Sequence, residues 1–390
     1  MRKLAVTLAL ILGASAIPLN SSSAADTSAI ASAFNALVKN RNLANPAVIV
    51  VDEKTGEVVF EKNSYQTRKP ASVIKLLSAT AAYTYMNPSD SYTTSLWEGV
   101  DSQSVVIQGS FDPWICDDAE LAKKMERTSL PLIRWQIAQT LSRITANEGD
   151  ELTVYYSNFY PQDVELIKKY LKNRNINARL QLLSPAAAIE KSSVQVLSST
   201  SPTLQIILDW TLTWSDNLLA ERIARSASVA AGNTRDSVGI STTFHNLFES
   251  LGIKHNGLVV KDGSGLSREN RVTARQISDL LLVLSRDEKF LPLLAGLPIG
   301  GVTGTLSERF IETAPNAIGL VRAKTGTLYG TTNLAGFVES GSSEYIFVIL
   351  ADRHSWSYTI TKKVRAFVDR ILGLIAKPLQ LELFSDEVTN

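Results

Sequence analysis

A serine and a lysine three positions apart give the first indication of chemistry in this chain. The segment Ser72-Val73-Ile74-Lys75 opens an apolar run that continues to Ala82. Pro70 fits the first position of a helix, so Ser72 lies in the first turn and shares a face with Lys75. A lysine on a buried helix has a lowered pKa and can activate a serine nucleophile as a general base. If the pair stood alone, a scaffold helix whose lysine reaches solvent would be the favoured interpretation.

The segment Ser215-Asp216-Asn217 supplies a second set of small polar side chains. It follows an apolar stretch that ends at Trp214 and precedes the helical pattern over 218–224. Residues of these three types favour helix caps, so a cap at a junction between two helices is a sufficient explanation of this segment taken alone.

A third segment, Lys324-Thr325-Gly326-Thr327, follows the apolar residues Leu320 and Val321. On a strand beside a cleft, the glycine lets a substrate backbone approach as an added strand, and the lysine and threonines can bind a carboxylate. A similar tripeptide, Lys54-Thr55-Gly56, lies in a predicted hairpin loop where turn chemistry explains it. Position along the chain therefore favours the segment at Lys324, and not the one at Lys54, as the functional one.

The order of the three segments decides between these interpretations. Ser-x-x-Lys, Ser-Asp-Asn and Lys-Thr-Gly begin at positions 72, 215 and 324. Together they are the signature of penicillin-binding proteins and class A β-lactamases. The chain is therefore predicted to carry out acyl transfer through a serine nucleophile.

The elements that position these segments follow from periodicity and turn residues. Strands in two hairpins are predicted at 47–51 with 58–60 and at 333–338 with 345–351, and a further strand over 320–327 precedes the second hairpin. Helical patterns cover the stretches 71–86, 203–230, 274–286 and 359–376. Strands at both ends with helices between them predict an α/β (α+β) fold with an antiparallel sheet built from both termini.

The middle of the chain has a different pattern. Residues 93–195 mix short strands with helices and are predicted to form an inserted small α+β domain. The predicted division is a signal peptide over 1–25, a discontinuous catalytic domain over 26–92 and 196–376, this insert, and a C-terminal tail over 377–390.

The N-terminus has the order of regions found in secretory signal peptides. A basic start, Met1-Arg2-Lys3, precedes an uncharged apolar run over 4–19 and then small polar residues. The alternative is a membrane anchor, but this run is shorter than the roughly 20 residues that span a bilayer, and it contains Pro18. We expect export to the periplasm or extracellular cell envelope, with no integral membrane span after cleavage.

Composition excludes several classes of function. The chain has 390 residues, 39 Lys and Arg against 38 Asp and Glu, three histidines and one cysteine. A net charge of +1 argues against a nucleic-acid partner bound through its phosphates. One cysteine excludes a disulfide framework and a cysteine-cluster metal site. We therefore expect no metal and no cofactor.

Beyond the motifs, the chain resembles the D-alanyl-D-alanine carboxypeptidase/endopeptidase family, the low-molecular-mass class C penicillin-binding proteins or S13 peptidases. The resemblance covers roughly 45–90 and 195–375. It is carried by the segments 215–221, 261–274 (with Asp-Gly-Ser-Gly-Leu-Ser-Arg), 300–306 and 321–327. It implies a β-lactamase/transpeptidase-like domain in which the sheet is flanked by helices.

The region between the first two motifs departs from the family. Ser215 follows Ser72 by 143 residues, a shorter gap than is typical, and residues 108–113 match the family's Gly-Gly-Asp-Pro segment only in part. We therefore expect the insert to be one small domain. Within 261–274, the residues alone predict a glycine turn and a capping box of Thr273 with Gln276, and no catalytic role.

The resemblance implies a role for each catalytic candidate. Ser72 attacks the carbonyl of a D-Ala-D-Ala peptide and Lys75 accepts its proton. The positive charge of Lys324 helps to keep Lys75 neutral. Ser215 relays a proton to the leaving amine, and Asn217 holds the substrate amide and Lys75.

Substrate binding is assigned by the same resemblance to Thr325, Gly326 and Thr327, and the two threonines receive the terminal carboxylate. The backbone N–H groups of Ser72 and Thr327 form an oxyanion hole. The implied function is a serine-type D-Ala-D-Ala carboxypeptidase, with endopeptidase action also implied, that acts on peptidoglycan stem peptides through an acyl-enzyme on Ser72. β-Lactam antibiotics are expected as acylating inhibitors.

Two other functions are compatible with the same motifs. A serine β-lactamase or esterase would need a dedicated base for deacylation, and we find no convincing Glu-x-x-x-Asn-type element between Asn217 and Lys324. A non-catalytic envelope-binding protein would be expected to have lost a motif residue, and none is missing.

Overall fold

The computed structural model describes residues 27–143, 152–355 and 357–379. The predicted signal peptide and most of the predicted tail lie outside the described residues. The α helices are α1 (Thr27–Lys39), α2 (Lys75–Tyr85), α3 (Ala119–Lys124), α4 (Leu130–Arg143), α5 (Pro161–Lys172), α6 (Pro185–Lys191), α7 (Leu204–Trp214), α8 (Asn217–Ala230), α9 (Ser237–Ser250), α10 (Ala274–Arg286), α11 (Leu291–Ala295) and α12 (Tyr358–Ile375). Across the described ranges, no helix is both long and apolar enough to cross a membrane.

The strands form two five-stranded sheets and one short two-stranded pair. The strands are β1 (Ala47–Asp52), β2 (Val58–Lys62), β3 (Thr67–Arg68), β4 (Thr93–Gly99), β5 (Ser104–Gln108), β6 (Leu152–Ser157), β7 (Ala178–Leu182), β8 (Ser192–Thr200), β9 (Val272–Thr273), β10 (Val321–Leu328), β11 (Thr331–Ser340) and β12 (Ser343–Ala351).

The first sheet joins strands from both ends of the described chain. Its order is β10-β11-β12-β1-β2, and its neighbouring strands are antiparallel. In the centre, Val48 of β1 lies opposite Ile349 of β12. Both strands are rich in β-branched residues and almost fully buried, as is typical of central strands. The predicted antiparallel sheet from both termini, flanked by helices, is confirmed.

Helices cover both faces of the first sheet. On one face, α1 and α12 pack through a core that includes Phe34 and Leu372. On the other face, α2, α8, α9 and α10 share a core that includes Leu77 and Phe244. Each such buried side chain contributes about 1.5–3 kcal/mol through the hydrophobic effect. This burial holds α2, the helix that begins at Lys75, against the sheet.

A second sheet lies in the middle of the chain, with the order β7-β6-β5-β4-β8. β5, β6 and β7 are parallel, whereas β4 is antiparallel to both β5 and β8. Its core, which includes Ile137 of α4 and Ile167 of α5, is separate from the cores of the first sheet. The domain boundaries at 93 and 195 stay a prediction, and β8 extends five residues beyond the second.

Two ion pairs connect this middle unit to α8. Arg222 Nη2 donates to both carboxylate oxygens of Asp163, at 2.6 and 2.7 Å, and both side chains are almost fully buried. Arg127 Nη1 lies 3.6 Å from Oδ2 of Asp216, the residue that caps α8. The middle unit therefore contacts the helix that carries Asn217.

The predicted helix over 71–86 begins differently from expectation. A 3₁₀ turn, Ala71–Ile74, leads into α2, and Pro70 caps that turn instead of occupying its first position. Ala71 takes a left-handed conformation, with φ 48°. The expected helix start at Pro70 was therefore wrong, because the backbones of Gly265 and Gly326 pack against Ala71 and Pro70.

Candidate active site

Ser72 lies at the end of the first sheet, where long-range contacts fix the backbone before it. Asn333 of β11 donates from Nδ2 to the carbonyl oxygens of Lys69 and Pro70, at 2.8 Å each. A left-handed non-glycine residue such as Ala71 persists only where its surroundings hold it. The Ser72 side chain, unlike its neighbours in the turn, is partly exposed. A held backbone with an accessible hydroxyl suits a nucleophile.

The Lys75 amine lies at the centre of a hydrogen-bond cluster. Its side chain has no solvent exposure. Nζ lies 2.9 Å from Ser72 Oγ, 2.7 Å from Asn217 Oδ1 and 2.5 Å from the carbonyl oxygen of Ser264. A neutral amine has two N–H donors and one lone pair. The carboxamide and carbonyl oxygens can only accept from it, so the lone pair of the neutral form faces the Ser72 hydroxyl.

Burial lowers the pKa of Lys75 to about 8, because desolvation disfavours the ammonium form. The negative charges of Asp216 and Asp262 oppose this shift and raise the pKa. A base whose pKa lies near the working pH is the most effective in proton transfer. The amine is therefore suited to accept the serine proton.

The Ser215-Asp216-Asn217 segment forms the predicted junction between α7 and α8. Ser215 takes a left-handed conformation, with φ 60°. Asp216 caps α8 by accepting a hydrogen bond from the backbone N–H of Leu219 at 3.0 Å. This geometry directs the Asn217 side chain to Lys75. Within the described ranges, no hydrogen bond joins the Ser215 hydroxyl to Ser72, Lys75 or Lys324.

Lys324 of β10 is fully buried beside this cluster. Its Nζ donates to the carbonyl oxygen of Thr325 at 3.1 Å. Burial, and secondarily the charge of Lys75, holds the pKa of Lys324 well below its usual value. We expected Lys324 to depress the pKa of Lys75. Burial is the main cause of the lowered pKa at Lys75, and repulsion between the two ammonium groups disfavours a state in which both lysines hold a proton.

The outer edge of β10 is open where Thr325 and Thr327 lie. Next to the start of the strand, the carbonyl of Val321 and the N–H of Ala323 bond outward to Gly300 and Pro298. Backbone groups alternate along a strand, so those of Thr325 and Thr327 point to the same outer edge. A peptide can add to the sheet there.

Gly326 lets β10 lie directly on the serine turn. A Cβ atom at this position would lie 2.7 Å from the carbonyl oxygen of Pro70. The side chains on either side of it have other contacts. Thr325 Oγ1 donates to Thr305 Oγ1 at 2.9 Å, and Arg365 Nη2 donates to Thr327 Oγ1 at 3.0 Å.

The segment 261–267 contributes to the site in a way that the sequence analysis missed. Asp262 accepts hydrogen bonds from the N–H groups of Ser264, Gly265 and Ser267, which folds the segment into a tight loop. Glu221 of α8 accepts from the N–H of Gly263 at 2.8 Å. The loop thereby presents the Ser264 carbonyl to Lys75. The signal that was available is the Asp-Gly-Ser-Gly turn itself.

The structure brings most of the predicted residues together. Ser72, Lys75 and Asn217 are hydrogen-bonded, and Lys324 is close enough for its pKa to be affected by Lys75. Ser215 lies two positions before Asn217 in the sequence, but no described hydrogen bond joins its side chain to Ser72, Lys75 or Lys324. In the part of the chain that the structure describes, no group of three or more His, Cys, Asp and Glu side chains could hold a metal ion.

Comparisons with known proteins show the family of this chain. The profile of the D-Ala-D-Ala carboxypeptidase 3 (S13) family matches residues 30–128 and 148–372. Carboxypeptidase DacB of Mycolicibacterium smegmatis is 26% identical over 370 residues, which cover 84% of this chain and 80% of that protein. D-alanyl-D-alanine carboxypeptidase DacB of Haemophilus influenzae is 29% identical over 236 residues, which cover 60% of this chain and 48% of that protein.

A solved structure shares the fold. Penicillin binding protein 4 (dacB) of Haemophilus influenzae, in complex with a β-lactam, matches with a TM-score of 0.65 and 18% identity. The match covers 89% of this chain and 99% of that chain. The second sheet therefore lies within a fold already known from solved proteins.

Proposed function

Since this chain belongs to the D-Ala-D-Ala carboxypeptidase 3 (S13) family, we propose that the residues around Ser72 perform its acyl transfer. The protein is a serine-type D-Ala-D-Ala carboxypeptidase that acts on peptidoglycan and binds β-lactams. The observation that supports the residue assignment is the set of three oxygen atoms around Lys75 Nζ.

Acylation begins when Ser72 Oγ attacks the carbonyl carbon of the penultimate D-alanine. The lone pair of Lys75 takes the serine proton, while Asn217 and the Ser264 carbonyl hold the amine in place. A positioned general base contributes typically about 10²- to 10⁴-fold to the rate. The low pKa of Lys75 supplies the neutral amine near pH 8.

The negative charge that develops on the carbonyl oxygen needs two donors. The backbone N–H of Ser72 and the N–H of Thr327 at the open edge of β10 fill this role. Removal of one such donor costs about 2.7–4 kcal/mol in enzymes where it has been measured. The close packing of Gly326 on Pro70 keeps the two donors near each other.

The leaving D-alanine lies toward Ser215 and Lys324. Ser215 passes a proton to its amine, and its hydroxyl is free of other described hydrogen bonds. Lys324, Thr325 and Thr327 receive the terminal carboxylate. Water then attacks the acyl-enzyme and releases the shortened stem peptide. A β-lactam acylates Ser72 by the same route and leaves slowly.

The location and the domain organisation complete the proposal. The order of residues 1–25 supports export to the periplasm or extracellular cell envelope, where stem peptides are found. The separate core of the second sheet supports the division into a catalytic domain and an insert over 93–195. Its ion pairs with α8 support a role for the insert in holding the Ser215–Asn217 turn.

Intact-protein mass spectrometry with benzylpenicillin tests the nucleophile. The wild-type protein and Ser89→Ala, which changes an exposed serine, should each gain the mass of one benzylpenicillin. Ser72→Ala should gain none. An adduct that persists in Ser72→Ala would show that the nucleophile is another residue. Rapid penicillin hydrolysis without a stable adduct would favour a β-lactamase instead.

A D-alanine release assay tests the reaction itself. A stem peptide that ends in D-Ala-D-Ala should release one D-alanine per molecule with the wild-type protein and none with Ser72→Ala. Cross-linked dimers of the same peptide report endopeptidase action. A protein that binds penicillin but cleaves neither substrate would be a binding protein on this scaffold.

A further inference from the structure

Arg365 is the one residue of α12 with a described hydrogen bond to the Lys324–Thr327 segment. Its Nη2 donates to Thr327 Oγ1 at 3.0 Å. The arginine is half-buried between the buried neighbours Val364 and Val368, whereas Thr327 is exposed. The contact therefore lies at a point that solvent, and a ligand, can reach.

The guanidinium group has no carboxylate partner in the described part of the chain. Asp369 lies one helical turn from Arg365, but both its oxygens accept hydrogen bonds from Arg309. Oδ2 of Asp369 also accepts from Thr313 Oγ1 at 3.1 Å. No salt bridge within 4.0 Å involves Arg365 among the described residues. Its positive charge is thus available to an anion from outside the chain.

The hydrogen bond also sets the direction of the Thr327 hydroxyl. A guanidinium group only donates, so Thr327 Oγ1 accepts from Arg365 and its own proton is left for another acceptor. Thr325 lies two residues earlier and therefore on the same side of the strand. The Thr327 hydroxyl and the guanidinium group together provide donors for one carboxylate, whereas the Thr325 proton goes to Thr305 Oγ1.

The position fits the terminal carboxylate of the acyl donor. In a D-Ala-D-Ala peptide, this carboxylate lies one residue beyond the scissile carbonyl, a distance of about 3.8 Å between consecutive Cα atoms. Thr327 offers its backbone N–H to the scissile carbonyl oxygen under the proposed function. Its side chain and Arg365 are therefore one residue away from the reacting atoms, where the carboxylate must lie.

We propose that Arg365 binds the terminal carboxylate of the substrate with Thr327, and so selects acyl donors that end in a free acid. This inference rests on the proposed function of the Lys324–Thr327 strand. Arg365 has no contact with Ser72 or Lys75 among the described hydrogen bonds. Its contribution is therefore to substrate discrimination and not to proton transfer.

The test compares acids with their neutral derivatives. Acylation by benzylpenicillin and by benzylpenicillin methyl ester is followed by intact mass for the wild-type protein and for Arg365→Met. The variant should lose about 10- to 100-fold in the acylation rate constant with the acid, the range expected for a charge-assisted hydrogen bond. Its rate constant with the ester should stay within about twofold of the wild-type value.

Three further variants make the result specific. Arg365→Lys keeps the charge and should recover part of the rate with the acid. Arg370→Met removes an exposed arginine from the same helix and should change neither rate. If Arg365→Met does not fold, Thr327→Val provides the same acid-to-ester comparison from the other side of the contact.

Equal losses with acid and ester in Arg365→Met, or unchanged rates with both, would overturn the proposal. A parallel measurement with stem peptides as acid and as C-terminal amide should give the same pattern in KM, with kcat nearly unchanged. Failure of the proposed function has a different signature, because the wild-type protein would then be acylated by neither compound.

Discussion

The two buried lysines of the site, Lys75 and Lys324, differ in their surroundings although neither is exposed to solvent. Lys75 Nζ has three oxygen partners and two nearby carboxylates that raise its pKa. Lys324 Nζ has one described hydrogen bond, and the charge of Lys75 adds to the effect of burial. Burial sets the direction of both pKa shifts, whereas the neighbouring charges modify their size.

This difference separates two roles. Two ammonium groups at short range disfavour each other, so the pair does not hold both protons near neutral pH. The amine beside Ser72 has a pKa of about 8 and can exchange a proton with the serine. Lys324, in contrast, lies on the strand that receives the substrate carboxylate.

The largest expected effect comes from Lys75→Met, which keeps an unbranched side chain only one atom shorter but removes the base. The rate constant of acylation by benzylpenicillin should fall by about 10²- to 10⁴-fold, since a positioned general base contributes in this range. Intact mass spectrometry over a time course measures the rate. A variant that acylates within tenfold of wild type would remove Lys75 from the mechanism.

Lys324→Met should have a smaller and different effect. Loss of a hydrogen-bond donor to a carboxylate costs about 10- to 100-fold in affinity. With a D-Ala-D-Ala peptide, this loss should be found mainly in KM, whereas Lys75→Met should lower kcat. Steady-state D-alanine release separates the two parameters. A Lys324→Met variant that lowers kcat alone would mean that the two lysines share one role.

Gly265→Ala tests whether the backbone around Lys75 is as tightly packed as its hydrogen bonds indicate. A Cβ atom there would lie 2.1 Å from the Ala71 carbonyl oxygen, and φ is +88°. The matched control, Gly232→Ala, has φ +82° and nothing within 4 Å. Gly265→Ala should therefore cost about 1–3 kcal/mol more in the free energy of unfolding. Denaturant unfolding measures both, and equal losses would contradict the packing at Ala71.

The smallest expected effect is a pH shift in Asp216→Asn. Asparagine keeps the cap on α8 but removes a charge that raises the pKa of Lys75. In a plot of acylation rate against pH, the rise that marks deprotonation of Lys75 should therefore move to lower pH, by less than about one pH unit. The profile of wild type, measured in parallel, is the reference. A shift to higher pH would mean that Asp216 acts on Lys75 mainly through structure.

The residues of the three motifs could be predicted from the sequence because their signals are local. Ser72 and Lys75 lie one helical turn apart, and the capping tendency of Asp216 marks the junction that presents Asn217. The two hairpins of the first sheet, and its assembly from both ends of the chain, also followed from sequence patterns. The confirmed fold therefore rests on short-range regularities.

The contacts that complete the site were not predictable in the same way. The carbonyl of Ser264 meets Lys75 across 189 positions of sequence, and a backbone oxygen carries no residue signature. Asn333, which fixes the backbone before Ser72, lies in a strand where nothing distinguishes it from a structural residue. The full burial of Lys324 was also not predictable, because the depth of burial is a property of the folded state.

The central claim is that the neutral amine of Lys75 takes the proton of Ser72. The most direct test is the pH dependence of acylation by benzylpenicillin, measured by intact mass between pH 6 and pH 10. Because deprotonation creates the base, the rate should rise with pH and level off above an apparent pKa near 8. A rate that does not change over this range, or that falls as Lys75 loses its proton, would contradict the account.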